Sequence, residues 1–370
     1  MRVNKTIKLT AVAAVAALAL AACAEAPGDG ATSAAPTPVQ TVKPVDGFKP
    51  CIVSDAGGFD DKSFNQLSFE GLQKAAAEFG VKAGEVQSKS DADFKPNLDS
   101  LLTANCSLIT SVGFALSAAT VEAAKANPDV QYVLVDDAAD NDFDGKKDAE
   151  NIKPLVYDTA QAAFLAGYLA AGYSKAGKVG TYGGMPFPTV TIFMDGFKQG
   201  VEHYNKVKSA NVQVIGFEGG DKGTFTGGFE NNQKAREAAD SIINQGVDVL
   251  LPVGGPIYQA ALPAIDDSGR EIAIIGVDAD VFKTDPKTEK YILTSIEKKM
   301  DQSVYDSVMT AGKGEFSFDA YVGTLANAGV GIAPLHNFES KVDATLVAEV
   351  DALKAQIISG EVKVTSYLAK

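Results

Sequence analysis

The sequence predicts an α/β protein of two doubly wound parallel-sheet lobes with a cleft between them, and three observations carry that prediction. From Phe48 onward, short apolar runs alternate with amphipathic stretches of helical spacing, the pattern of βαβ units. Glycines, aspartates and aromatics collect just after those runs, where the loops of an open parallel sheet gather ligands. There is also a faint internal echo. Gly57-Gly58 precedes Phe69-Glu-Gly-Leu72 by much the same interval as Gly183-Gly184 precedes Met194-Asp-Gly-Phe197. Two lobes that each open with strand, Gly-Gly loop and helix produce such an echo.

The N-terminal region stands outside this pattern. Arg2, Lys5 and Lys8 precede an alanine-rich apolar run that ends Leu20-Ala-Ala-Cys23. A basic start, a short apolar segment and small residues before a cysteine read as an export signal, too short for a membrane span. The ending resembles a lipobox. Residues 1–22 are then a signal peptide and Cys23 the lipidated first residue of a lipoprotein, held to the cell membrane on its extracytoplasmic face. An ordinary secreted protein with an unmodified cysteine is the alternative. Residues 23–46, rich in Ala, Pro and Thr without periodicity, read as a disordered tether. Removing the signal takes three cations and no acid, leaving 47 Asp and Glu and a net charge near −17. That acidity argues against nucleic acid as a partner, which needs clustered cations, and disfavours anionic small ligands.

In the first lobe, Cys51-Ile-Val53 leads to Ser54-Asp55, crosses Gly57-Gly58-Phe59-Asp60-Asp61, and enters a helix. Phe64, Leu67, Leu72, Ala75, Ala76 and Phe79 keep near-helical spacing there, and Ser63 with Gln66 predicts a capping box. The glycines let backbone approach a ligand, and the carboxylates offer acceptors to hydroxyls or amines. Leu108-Ile-Thr leads to Ser111-Val-Gly-Phe114, and Tyr132-Val-Leu-Val leads to Asp136-Asp137. Cys51 and Cys106 each open a predicted strand. The first and third strands of such a unit are parallel neighbours, so a disulfide is expected rather than two free thiols. Asp140-Asn-Asp142-Phe-Asp144-Gly145 matches the first half of an EF-hand loop, but Asn151 stands where the bidentate Glu belongs. It reads as a polar loop. No Cys or His cluster has metal-ligand spacing, and His203 and His336 read as surface residues, so no metal is expected.

Thr159–Tyr173 is apolar nearly all round and predicts a buried helix opening the second lobe. Strands then lead to Gly183-Gly184, Gly216, Pro252-Val-Gly254-Gly255 and Gly276-Val-Asp278. Tyr291–Ser295 reads as a strand and Ile296–Thr310 as a helix returning to the first lobe. Lobe one is expected at 47–157 plus 276–313. Lobe two is expected at 158–275 plus 314–370, closing with a helix over Ala344–Ser359.

The site candidates are Asp55, Asp60, Asn65, Asp136 and Asp278 at or beyond strand ends, with Phe59, Phe193, Phe225 and Phe229 as aromatics in Gly- or Pro-rich loops. Lys298 is the one cation placed near the cleft. A flat ligand between two rings gains ~0.5–1.5 kcal/mol per stacked pair beyond its area burial. A carboxylate accepting from hydroxyls adds ~1.5–3 kcal/mol per bond. The set suits a sugar, or a sugar joined to a flat base. Taken singly, each residue has a plainer reading: a loop Phe lids the core, and Asp60 and Asp61 favour a helix N-terminus.

Asp55-Ala-Gly-Gly-Phe-Asp-Asp-Lys-Ser-Phe-Asn65 resembles the opening motif of the BMP family, the basic-membrane-protein or purine-nucleoside-binding lipoproteins of ABC transporters. Thr110-Ser-Val-Gly-Phe114, Phe164-Leu-Ala-Gly-Tyr168, Lys178-Val-Gly-Thr-Tyr-Gly-Gly184, Gly228-Phe229, Gly276-Val-Asp278, Thr294-Ser-Ile-Glu-Lys298 and Gly329-Val-Gly-Ile-Ala-Pro334 follow in the family's order. The resemblance implies a type I periplasmic-binding-protein fold that closes on a nucleoside and delivers it to an ABC permease, without a cofactor. It places base-stacking aromatics on Phe59 and Phe229 and the ribose-binding carboxylate on Asp278, with Lys298 beside it. Asp136 and Asn65 would bond base or ribose, and Gly254 lies in the usual Gly-rich loop. The chain departs from the family at Ile192, where an arginine is often seen, and at the prolines flanking Gly254-Gly255.

Two other functions fit parts of the pattern. One is a receptor for a free sugar, although the chain has no tryptophan to stack a pyranose. The other is a nucleoside hydrolase, because Gly58-Phe-Asp60-Asp61 resembles part of that enzyme's metal loop. Ser54-Asp-Ala-Gly57 lacks the Asp-x-Asp-Pro which that loop also needs. A sensory or adhesive lipoprotein has no distinguishing motif.

Overall fold

The structure is a computed structural model that describes residues 42–368. Cys23, the signal and nearly all of the tether lie outside the described residues. The first part runs β1 (Pro50–Ser54), α1 (Phe64–Phe79), β2 (Gly84–Gln87), α2 (Phe94–Thr103), β3 (Leu108–Val112), α3 (Ser117–Ala126), β4 (Gln131–Val135) and β5 (Ile152–Tyr157). It continues with α4 (Thr159–Tyr173), β6 (Lys178–Gly183), α5 (Pro188–Lys208), β7 (Gln213–Ile215) and the hairpin β8 (Phe217–Gly219) and β9 (Lys222–Gly223). Next come α6 (Gln233–Ile243), β10 (Val249–Val253), α7 (Tyr258–Ser268), β11 (Ala273–Asp278), α8 (Val281–Thr284) and β12 (Ile292–Lys298). Finally come α9 (Met300–Gly312), β13 (Tyr321–Gly323), β14 (Val330–Ile332) and α10 (Ala344–Ser359).

Two six-stranded sheets share one plan. The first has the order β13-β5-β4-β3-β1-β2 and the second β14-β12-β11-β10-β6-β7. Every pairing is parallel except that of β14 with β12. The central strands are buried along their whole length, as strands covered by helices on both faces must be. The chain passes between sheets three times: at Asp158, at Lys299, and between β13 and β14. Helix α9 packs on α1 of the first lobe, whereas α4 packs on α5, β12 and β14 of the second.

This corrects the expected return. β11 pairs with β10 and β12 with β11, so residues 276–298 stay in the second sheet, and the strand β12 occupies Ile296–Lys298, where a helix was expected. Strand β13 in turn pairs with β5 of the first sheet rather than completing the second. The cause is pairing demand. β11 and β12 are buried on both faces and need neighbours on both edges, which β10 and β14 complete in the second sheet. Strand β5 escaped the sequence pattern because of Lys153 and Pro154. Pairing with β13 begins only at Leu155, which leaves Pro154 on an open edge.

Two local features set the scaffold. Helices α4 and α5 cross nearly backbone to backbone: Gly167 faces the Phe197 carbonyl and Gly200 the Phe164 carbonyl, where any Cβ would overlap. This contact lets α4 be buried all round. In the first lobe, β1 and β3 are parallel neighbours, and Cys51 and Cys106 form the expected disulfide, with Cα atoms 5.9 Å apart.

Candidate functional site

The loops after β1, β3, β4, β6, β10, β11 and β12 meet between the sheets around a cavity of about 560 Å³ of empty space, part of it open to solvent. Asp136 and Asp278 form its charged part. Each ends the equivalent strand of its sheet, β4 and β11, and each adopts positive φ, +65° and +67°. The left-handed turn aims both carboxylates inward. Aspartate tolerates it better than bulkier residues.

Lys298, at the end of β12, is 2% exposed and lies between them. Its Nζ donates to Asp136 Oδ2 at 2.6 Å and stands 3.6 Å from Asp278 Oδ1. It also sits over the Phe193 ring, 4.8 Å from the centroid, with Phe64 and Tyr157 nearby. Burial raises the pKa of both carboxyls against the opposing pull of Lys298, that of Asp278 to about 6. Asp278 Oδ1 is buried and makes no hydrogen bond with the described residues.

A second polar group comes from the β1–α1 segment. Asp61, rather than Ser63, caps α1: its carboxylate accepts from the backbone N–H of Ser63, Asn65 and Gln66 at 2.8–3.1 Å. The predicted capping box is therefore absent, because Ser63 reaches the other lobe instead. Asn65 Nδ2 donates to Asp55 Oδ1 at 2.9 Å and to Asp61 Oδ2 at 3.2 Å, which fixes its amide and leaves Oδ1 buried without a partner. Asp55 lies against Gly113, whose φ of +114° and missing side chain make room for the carboxyl. Burial raises its pKa to about 8, and the neighbouring Asp61, Asp136 and Asp278 add to the effect.

The opposite wall is aromatic. Phe229 packs over Gly184 and Gly254; a Cβ on Gly254 would come within 2.7 Å of its ring, and one on Gly184 would overlap it. Phe187 stands 6.0 Å from Phe229 and 4.9 Å from Phe114, so rings of both lobes meet at the cavity.

Asp55, Asn65, Asp136, Phe193, Phe229, Gly254, Asp278 and Lys298 all line the cavity. Phe59, Asp60 and Phe225 do not. Phe59 stacks on Phe69 at 4.5 Å, exposed Asp60 pairs with Lys62, and Phe225 packs beside Gly183. The loop turns at Gly57 and Gly58, which carries Phe59 outward and brings Phe64, the first residue of α1, to the wall. Phe193 lines the cavity from within α5, not from a loop. Sequence reasoning missed Phe114 and Phe187 as wall residues, and it set the first stacking ring on Phe59 where nearby Phe64 takes the wall. Phe187 had a usable signal, since it directly precedes a proline at a helix start. One carboxylate oxygen each from Asp140, Asp142 and Asp144 comes within 4.8 Å of the others, and all three carboxylates also accept N–H groups of their own loop.

The lobes touch directly. Ser63 Oγ donates to the Val277 carbonyl at 2.9 Å, and Thr284 Oγ1 to the Lys62 carbonyl at 2.6 Å. Two equivalent α/β lobes, joined by three crossovers and closed over a polar and aromatic cavity, define a two-lobed solute-binding protein of the type I periplasmic fold. A solute-binding protein from Aeropyrum pernix shares that fold, with a TM-score of 0.76 at 24% identity, over 86% of this chain and 93% of its own. The chain belongs to the Bmp family of PnrA-like ABC transporter substrate-binding proteins, which it matches over residues 48–367. It is 30% identical to a Lactococcus lactis protein named ABC transporter nucleoside-binding protein BmpA, over 98% of this chain and 99% of that one. A Listeria monocytogenes protein named CD4+ T-cell-stimulating antigen is 29% identical over 86% of this chain and 88% of its own. No helix among the described residues is long and apolar enough to cross a membrane.

Proposed function

We propose that this substrate-binding protein takes a nucleoside, most naturally a purine nucleoside, between its lobes and presents it to an ABC import permease from a lipid anchor at Cys23. The observation that carries the reading is the division of one cavity into two walls: rings at Phe187 and Phe229, and hydrogen-bonding groups at Asp55, Asn65, Asp136, Asp278 and Lys298. A flat base stacks on the first wall, and the second bonds both the edge of that base and a hydroxylated ribose. Asp278 Oδ1 and Asn65 Oδ1, both buried and without a hydrogen bond among the described residues, are acceptors for such a guest. The name of the Lactococcus relative supports the same ligand class. Asp136 and Asp278 already share Lys298 and Asp61 adds a further carboxyl, so a phosphate would meet uncompensated negative charge.

Ligand stabilises closure only through its differential contacts with the two lobes. Isothermal calorimetry with adenosine, guanosine and inosine, against AMP and free ribose, tests the proposal. Tight nucleoside binding with little AMP or ribose binding is expected. Ribose binding as tightly as the nucleosides would turn the reading to a sugar receptor, and preferred AMP would overturn it. The hydrolase reading loses its basis, because Asp60 points away and Asp61 is committed to the α1 cap.

A further inference from the structure

We propose that Asp55 reads the guest as a neutral carboxylic acid, donating its proton to an acceptor on the base while Asn65 Oδ1 accepts from an adjacent N–H. This rests on the nucleoside reading and adds to it the protonation state that sets hydrogen-bond polarity. The site compensates its carboxyls unequally. Asp61, on the loop before α1, has the three backbone N–H groups of the helix start. Asp136 at the end of β4 and Asp278 at the end of β11 share Lys298 from β12. Asp55 has neither, and among the described residues the one hydrogen bond to its carboxyl comes from the Asn65 amide.

Among the described residues, the charged groups that act on it most strongly are Asp61, Asp136 and Asp278, all of one sign. β3 contributes Gly113, which brings backbone and no cation against the carboxyl. A half-buried acid in such surroundings, with neither a cation nor a backbone N–H of the described residues against its carboxyl, holds its proton at neutral pH, and desolvation raises its pKa to about 8. Oδ1 accepts from Asn65, so Oδ2 is the atom left to carry and donate the proton. Asn65 cannot turn its N–H₂ to the guest, because that group is held by Asp55 and Asp61. The pair therefore presents one donor and one acceptor, a match for a ring nitrogen beside an amino or lactam N–H. A guest edge with two donors leaves the Asp55 proton facing a donor and is rejected.

The test is the pH profile of adenosine affinity for the full chain, adenosine being chosen because its base carries no group that titrates near neutrality. Wild-type affinity should hold steady up to about pH 7.5 and fall by as much as tenfold per unit once Asp55 ionises, above about pH 8. Asp55→Asn keeps a donor but cannot ionise; its profile should be flat, and it should bind better than wild type at about pH 9.5. Asp55→Leu, which offers no donor, should be weaker at every pH. A wild-type profile that is flat or rises through this window overturns the proposal, as does an Asp55→Asn profile that falls in parallel.

If adenosine binds none of these proteins, the nucleoside reading fails by itself, and the ligand-free protein tests the acid. The infrared difference between wild type and Asp55→Asn at about pH 6.5 should then show a protonated-carboxyl C=O stretch. A carboxylate band in its place overturns the assignment. Ligand-free stability gives the matching sign. The folded state holds this proton more tightly than the unfolded chain, so wild type loses stability relative to Asp55→Asn as pH rises from about 4 to about 8.

Discussion

Asp136 and Asp278 sit at the same place in two lobes of the same topology, both turned inward at positive φ, yet their neighbours differ. Asp136 holds the close bond to Lys298, at 2.6 Å, although that lysine comes from the other lobe. Asp278 belongs to the lysine's own sheet but stands 3.6 Å away and accepts instead, at 3.3 Å, from Ser63 across the cleft. Each carboxylate is thus tied to the opposite lobe. The strand β1 ends in Asp55, whereas its counterpart β6 ends in Gly183-Gly184, left bare so that Phe229 can lie there. A shared scaffold fixes the anchor points. The residue at each one makes one wall polar and the other aromatic.

The largest expected effect comes from removing the cation that joins the two carboxylates. Lys298→Met leaves two buried acids uncompensated and should cost about 3–5 kcal/mol in urea denaturation. Adding Asp136→Asn should restore more of that loss than adding Asp278→Asn; the opposite order would break the assignment of Asp136 as the closer partner. The lobes also differ in their covalent links, since among the described residues the disulfide belongs to the first alone. Replacing Cys51 and Cys106 by alanine should cost about 2–4 kcal/mol, with hydrogen exchange rising in the first lobe before the second. Uniform exchange would mean that the lobes unfold as one unit.

Smaller effects probe the walls and the clasp between them. Phe229→Ala should weaken a purine nucleoside by about 1.5–3 kcal/mol in calorimetry and a free pentose hardly at all. Equal losses would show that the ring supports the wall rather than the base. Ser63→Ala removes a cross-lobe hydrogen bond and should cost about 0.5–1.5 kcal/mol of affinity through easier opening. Small-angle scattering of the ligand-free variant should show a larger mean radius; an unchanged radius would mean that the clasp does not govern closure.

Most of the fold was legible because burial writes itself into period and run length. Thr159–Tyr173 and Ala344–Ser359 are helices with the bounds their patterns suggest. The strand-end aspartates were legible for the same reason, as a carboxylate directly after an apolar run has only the sheet's open end to occupy. Phe59 and Phe64 were not distinguishable. They are five residues apart across a turn, and the backbone at Gly57 and Gly58 decides which one faces inward. Ser63 carried a local capping signal that lost to a partner 214 positions away, a competition no short window contains.

By itself the sequence determined two α/β lobes, the ends of their strands and the chemical types collected there, because each follows from local periodicity and from what residues beside a buried strand must be. Tertiary structure decided which sheet claims β11, β12 and β13, which phenylalanines form the wall, and which carboxyl lacks a counter-charge. Those outcomes depend on edges, distances and burial set by segments far apart in the chain. Asp55 and Asp136 look alike in the sequence, and only the position of Lys298 separates them.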